Sequence, residues 1–355
     1  MSKRINTQTL GAVLMIAMGL LYGCSGGEDT GQFSAVKQAV DTAATQIAED
    51  FVEASFASVT LDKNFVEAPE LLSEKTPGVN EIIIYDSVLY AATNDGVIAY
   101  NFTDQSTGCI GNGKTFRSLA FHDGNLYTAS DRLYIIKDNM LEPVALEFEG
   151  QITNLLSDSN RLLIGTDQGL ISKGLISEEC LLDDVNITCM TFDNNGLWVG
   201  TDGQGLFRWD GDRFLKRHLV RDTTIFDYVY DIAFNHDHLF VGAATGFFVY
   251  DGGRWEHWTD EIGMPSNIVN SIDASDWMVY VGTDKGVISY FDKNLYPVRK
   301  FETMPADVVR LMGNKVIAAD ENGGIFVKRG YSVRTLIEPV KKENTEVFTQ
   351  ADSDI

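Results

Sequence analysis

Residues 187–214 read Ile187-Thr-Cys-Met-Thr-Phe-Asp-Asn-Asn-Gly-Leu-Trp-Val-Gly-Thr-Asp-Gly-Gln-Gly-Leu-Phe-Arg-Trp-Asp-Gly-Asp-Arg-Phe214, and this stretch decides the fold. Short runs of apolar β-formers alternate with three turn signals. Asn194-Asn195-Gly196 supplies the positive-φ positions of a tight hairpin, Asp202 to Gly205 the next turn, and Asp210-Gly211-Asp212 the third. The result is strand, turn, strand, turn, strand, turn, strand. Such a sheet cannot bury both of its faces alone.

The central part of this unit, an apolar strand running into Gly-Thr-Asp and a glycine-containing turn, recurs with variations. Seven copies start at Leu89, Leu126, Leu162, Leu197, Leu239, Val279 and Val316. Their spacing averages about 38 residues, within the range expected for propeller blades. Stacking the units around a ring buries both faces and leaves only short edges, so the repeat predicts a closed ring instead of an open sandwich or a β-solenoid. The expected fold class is all-β: a seven-bladed β-propeller of four-stranded antiparallel blades over 79–337.

The segments Leu197-Trp-Val-Gly-Thr-Asp-Gly-Gln-Gly-Leu206 and Gly263-Met-Pro-Ser-Asn-Ile-Val-Asn-Ser-Ile272 leading into Val281-Gly-Thr-Asp-Lys-Gly286 resemble the two-component regulator propeller repeat. The resemblance spans about residues 80 to 335. It implies the WD40-like propeller fold and no particular ligand, because such repeats occur both in sensor ectodomains and in free-standing exported proteins.

Outside the repeats, Lys3 and Arg4 precede an apolar run from Leu10 to Leu21 that ends in Leu-Tyr-Gly-Cys24. The run is short for a membrane span and has the charged start and small-residue end of a secretory signal. Its end resembles the lipobox of bacterial lipoproteins, which implies a signal peptide over 1–23, lipidation of Cys24, and an outer-membrane lipoprotein facing the periplasm or the cell surface. Ser25 directly after Cys24 favours the outer membrane by the same resemblance. Residues 24–32 read as a flexible tether. Apolar and alanine positions spaced by three or four from Phe33 to Val59 predict an amphipathic helix. Residues 60–78 read as a linker or a closing strand, and 338–355 as a disordered tail.

The net charge of −23 excludes nucleic acid and makes anionic headgroups poor partners, so the membrane is reached through the lipid anchor only. Apart from Cys24 there are three cysteines, of which Cys180 and Cys189 are a possible disulfide. No Cys-x-x-Cys pair, Gly-x-Ser-x-Gly, His-Glu-x-x-His or phosphate loop is present. His236-Asp237-His238 occupies the hairpin position filled by Asn194-Asn195-Gly196 in another copy and reads as a turn. The sequence therefore points to no catalytic residue, no metal and no cofactor. The repeated acids Asp95, Asp167, Asp202 and Asp284 read as turn residues that accept local backbone hydrogen bonds.

Two inter-blade loops are richer than the others, and Phe226, Tyr228, Tyr230, Met264 and Asn267 on them are the candidate partner-binding residues. The favoured function is a scaffold or accessory subunit that binds an envelope protein. The alternative is a carbohydrate- or small-ligand-binding module, or an enzyme, using the central funnel. Trp198 and Trp209 weaken it, because other copies place Tyr, Phe or Leu there, as a core between blades requires.

Overall fold

The computed structural model describes residues 78–339 apart from 147, 149, 159, 175–177, 218, 220–227 and 277. The expected signal peptide, Cys24, tether and helix, the linker or closing strand apart from Gly78, and the tail apart from Glu338 and Pro339 lie outside these residues.

Twenty-eight strands form seven antiparallel sheets, each of four strands consecutive in the chain. The blades span 79–110, 118–143, 152–183, 187–217, 229–258, 269–297 and 308–337. The first strands of the blades are Val79–Tyr85, Ser118–His122, Ile152–Ser157, Ile187–Asp193, Val229–Asn235, Val269–Ala274 and Val308–Met312. Each lies beside the first strand of the next blade, and the last closes back on the first. They are therefore the inner strands, and the fourth strand of each blade is the outer one. The architecture is the seven-bladed propeller that the repeat predicts.

Seven apolar clusters hold the ring, one at each blade boundary. The second and third strands are buried on both faces: in blade 1, five of the six residues Gly96–Asn101 are buried. Trp198 is buried in the cluster that joins blades 4 and 5, and Trp209 is half-buried between blades 3 and 4. Both tryptophans thus belong to the core. His257 stacks on Phe248 at 4.0 Å, and its Nε2 lies 2.8 Å from the Thr245 carbonyl.

The recurring Gly-Thr pair has a local cause. Thr93, Thr166, Thr201 and Thr283, all buried, donate their hydroxyls to the carbonyls of Gly96, Gly169, Gly205 and Gly286 at 2.7–2.9 Å. The hydroxyl thereby bridges the turn between second and third strands. An acid in the same turn ties it to an inter-blade loop: Asp95 Oδ1 accepts from Gly113 N–H at 2.6 Å in the loop after blade 1, and Asp167 Oδ1 from Gln151 N–H at 2.8 Å in the loop before blade 3. The first hairpin of blade 4 departs from the expected turn. Positive φ occurs at Asp86 and Ser87, Asp123 and Gly124, and His236 in other blades, whereas Asp193 Oδ1 holds the blade 4 turn by accepting from Asn195 N–H at 2.7 Å.

Cys180 and Cys189 are free thiols. Cys180 is on the outer strand of blade 3 and Cys189 on the inner strand of blade 4. Three strand spacings of about 4.8 Å separate the inner and outer positions of a blade, more than a disulfide spans.

Candidate functional site

The inner strands enclose an axial cavity of about 350 Å³. Its wall carries Glu81, Asp231, Asp273 and Asp307 against Arg117 and Arg310. Such a size suits a small ligand, but most of these polar groups are already engaged with the fold.

Five inner strands carry a bulge at the same register, between residues 79/81, 165/166 opposite Ile152, 187/189, 229/231 and 269/271. The extra residue frees a side chain that reaches the next blade. Asn80 Nδ2 donates to the Phe116 carbonyl at 2.7 Å, Thr188 Oγ1 to Val229 at 2.6 Å, and Asn270 Nδ2 to Ala306 at 3.2 Å.

One residue further on, a second belt repeats the same idea with acids. Glu81 Oε2 accepts from Ser118 Oγ at 2.6 Å and Leu119 N–H at 2.8 Å. Asp231 Oδ2, at the equivalent position of blade 5, accepts from Ser271 Oγ at 3.1 Å and Ile272 N–H at 2.8 Å. The two serines pass the pattern on, because Ser118 Oγ accepts from Leu155 N–H at 2.8 Å and Ser271 Oγ from Val309 N–H at 3.2 Å. Asp273 Oδ2 accepts from Leu311 N–H at 2.7 Å. Burial pushes the Glu81, Asp231 and Asp273 carboxyls above the ordinary carboxylate range, while Arg310 and these hydrogen bonds pull the other way. Asp307 is likewise raised by burial and by Glu321 and Asp320. The acids thus act mainly as acceptors for a neighbouring blade, a role that the sequence reading did not find. The available signal was a polar residue two places after the first core residue of the inner strand in blades 1 and 5.

Tyr228, Tyr230, Met264 and Asn267, the described partner-binding candidates, lie in or just before the inner strands of blades 5 and 6, on the face where the chain enters them. Tyr228 and Tyr230 are 38% and 40% exposed there, and Tyr230 borders the axial cavity. Met264 is buried among Phe247, Val269 and Tyr290, so it belongs to the core and not to the rim. Gly263, at φ 112°, turns the chain at this point. Asn267 braces its own loop: its Oδ1 accepts from Asp260 N–H and its Nδ2 donates to Asp260 Oδ1, both at 2.8 Å. Phe226 lies outside the described residues. Two residues that the sequence reading passed over, Ile262 and Ile268, are exposed on the same face at 54% and 42%.

Repeat register makes the asymmetry explicit. The residue just before the buried apolar residue at or near the start of the inner strand (Val79, Phe116, Ile152, Ile187, Val229, Val269 and Ala306) is Gly78, Thr115, Gln151 and Asn186 in blades 1–4, but Tyr228, Ile268 and Pro305 in blades 5–7. Away from that face, Tyr85, Met140 and Phe291 are exposed on blades 1, 2 and 6, and Tyr331 and Val333 both on blade 7.

Residues 181–203 match the family model of the two component regulator propeller. No curated protein matches the chain. Among solved structures, the WD40 β-propeller domain of Doa1 is 14% identical with a TM-score of 0.57, covering 71% of this chain and 92% of that one. The β-propeller domain of Cps50 (Swd1) from Myceliophteria thermophila is 12% identical with a TM-score of 0.56, over 71% and 97%. The extracellular domain of the hybrid two component system BT3049 from B. thetaiotaomicron is 15% identical with a TM-score of 0.45, over 72% of this chain and 45% of that chain. At these identities the first two likenesses show the fold alone. Among the described residues no helix is long and apolar enough to cross a membrane.

Proposed function

We propose that this chain is an exported, lipid-anchored β-propeller that binds another protein of the cell envelope through the entry face of blades 5 and 6. The observation that carries the reading is the concentration of exposed Tyr228, Tyr230, Ile262 and Ile268 on one sector, with Tyr228 and Ile268 at a register that holds glycine or polar residues in blades 1–4. Exposed apolar and aromatic side chains gathered on one rim are what a docking surface requires, whereas singly scattered ones need no explanation.

Charge narrows the partner. Asp260, Glu261, Asp307, Asp320 and Glu321 lie on loops and turns of the same face. A partner surface that meets them is neutral or cationic. The axial cavity supports the small-ligand alternative less well, because Glu81, Asp231 and Asp273 on its wall are bonded to neighbouring strands.

The N-terminal signal and Cys24 support export and anchoring. Cys24→Ser is expected to move the protein out of the membrane fraction and to abolish lipid labelling; unchanged fractionation and labelling would overturn the anchor. The docking face is tested by crosslinking in the native cells and pull-down of wild type beside Tyr228→Ala/Tyr230→Ala. A specific envelope protein recovered with wild type and lost with the variant is the expected result, and equal recovery would contradict the proposed face.

A further inference from the structure

Six of the seven blade boundaries are spanned by the chain itself, since the outer strand of one blade leads into the inner strand of the next. Among the described residues the boundary between blade 7 and blade 1 has no such connection, because each sheet consists of four consecutive strands and no strand is shared. Apolar packing holds it, and three cations of blade 7 reach across it.

The apolar part joins Val79, Ile82 and Tyr100 of blade 1 to Val308, Ile317 and Ile325 of blade 7. The cations divide the boundary by depth. At the axis, Arg310 Nε donates to the Ile82 carbonyl at 2.9 Å, and its guanidinium lies 3.9 Å from Glu81. On the second strand, Lys315 Nζ lies 5.3 Å from the centre of the Phe102 ring. On the outer strand, Arg334 donates to Gln105 Oε1 at 2.8 Å and to Tyr100 Oη at 3.3 Å.

Arg310 does more than join two blades. It also donates to Ser271 Oγ of blade 6 at 3.1 Å and lies 3.8 Å from Asp231 of blade 5, so one guanidinium ties blades 5, 6, 7 and 1. Arginine suits the position because its planar group serves several acceptors at once while staying charged.

We propose that the ring opens first at the boundary of blades 7 and 1, and that Arg310 is the lock that keeps it shut. Two blades joined by a short loop stay near each other when their contacts break, because closing a short loop costs little entropy. Among the described residues blades 7 and 1 are instead linked only through the rest of the ring, so a lost contact there separates them. The axial cavity opens sideways at this boundary, and access to it depends on the lock.

Hydrogen exchange of the full-length protein read by mass spectrometry tests this, with wild type compared with Arg310→Met, Arg310→Lys and Arg334→Met. Arg310→Met is expected to speed exchange roughly tenfold or more in Val79–Tyr85 and Val308–Met312, while Ile152–Ser157 and Ile187–Asp193 keep their wild-type rates. Arg310→Lys should fall between the two, since it keeps the charge and loses the fork. Arg334→Met lies near the rim and leaves the axial charges in place, so it reports on the boundary even if Arg310→Met does not fold; it should speed exchange in Gly96–Asn101 and Ser332–Ile337. Uniform acceleration over all seven blades, or no change at blades 1 and 7, would overturn the proposal.

Discussion

At the scale of single residues, the repeat is written in side chains that close turns. The buried Thr283 hydroxyl donates to Gly286 at 2.7 Å and receives Lys285 N–H at 3.2 Å, so replacing it by valine keeps the shape and removes both bonds. Thr283→Val is expected to cost about 1–3 kcal/mol in denaturant unfolding; an unchanged midpoint would show that the hydroxyl does not hold the turn. Gly169 is constrained in another way. Its φ is +153°, and an added Cβ would overlap the Leu182 carbonyl. Gly169→Ala should destabilise the protein by about 1–3 kcal/mol, and wild-type stability would contradict the turn geometry. This level was legible in the sequence, because Thr-Asp and glycine recur at a fixed register. The burial of Met264 was not: Gly263-Met-Pro reads as a surface loop, and only the backbone turn at Gly263 shows that the side chain points back into the core.

At the scale of elements, strand order explains both what could be read and what could not. Seven copies of one strand–turn–strand pattern made the blades visible. Contacts between inner strands, such as Glu81 with Ser118 or Asp231 with Ser271, join residues about one repeat apart in different blades, and no local pattern marks them. The cysteines illustrate the reverse problem. Cys180 and Cys189 are nine positions apart, yet the fold sends them to the outer edge and the inner ring. Cys180 is exposed, its thiol raised by desolvation and by the neighbouring Asp183, whereas Cys189 is buried and its thiol is pushed well up by burial. Burial, with Asp95 nearby, raises the partly buried Cys109 thiol to about 11. A maleimide reagent is therefore expected to modify Cys180 in the folded protein and to reach Cys189 only after denaturation without reductant. Failure to label Cys180 and Cys189 until a reductant is added would show that they are bridged.

At the scale of the whole molecule, burial and charge oppose each other around the axis. Glu81, Asp231 and Asp273 titrate above the ordinary carboxylate range because they are buried, and Arg310 limits the rise. A carboxyl whose folded pKa is raised contributes stability that is complete below its unfolded value of about 4 and is lost as pH rises through the folded value. Removing Arg310 removes the cation that lowers all three, so the melting temperature of Arg310→Met should fall more steeply than that of wild type as pH rises above the unfolded carboxyl value of about 4. Asp307 and Arg117 on the same cavity wall remain in both proteins, so the comparison isolates Arg310. Parallel curves would mean that the guanidinium does not act on these carboxyls.

The same scale holds the functional claim, since a sector of exposed apolar residues has meaning only against the other blades and the opposite face. The most direct test places a photo-crosslinking amino acid at Ile268, on the entry face, or at Phe291, on the opposite face, in the full-length protein in its native cells. The account predicts a discrete adduct with one envelope protein from position 268 and none from position 291; adducts from 291 alone, or from both alike, would contradict it.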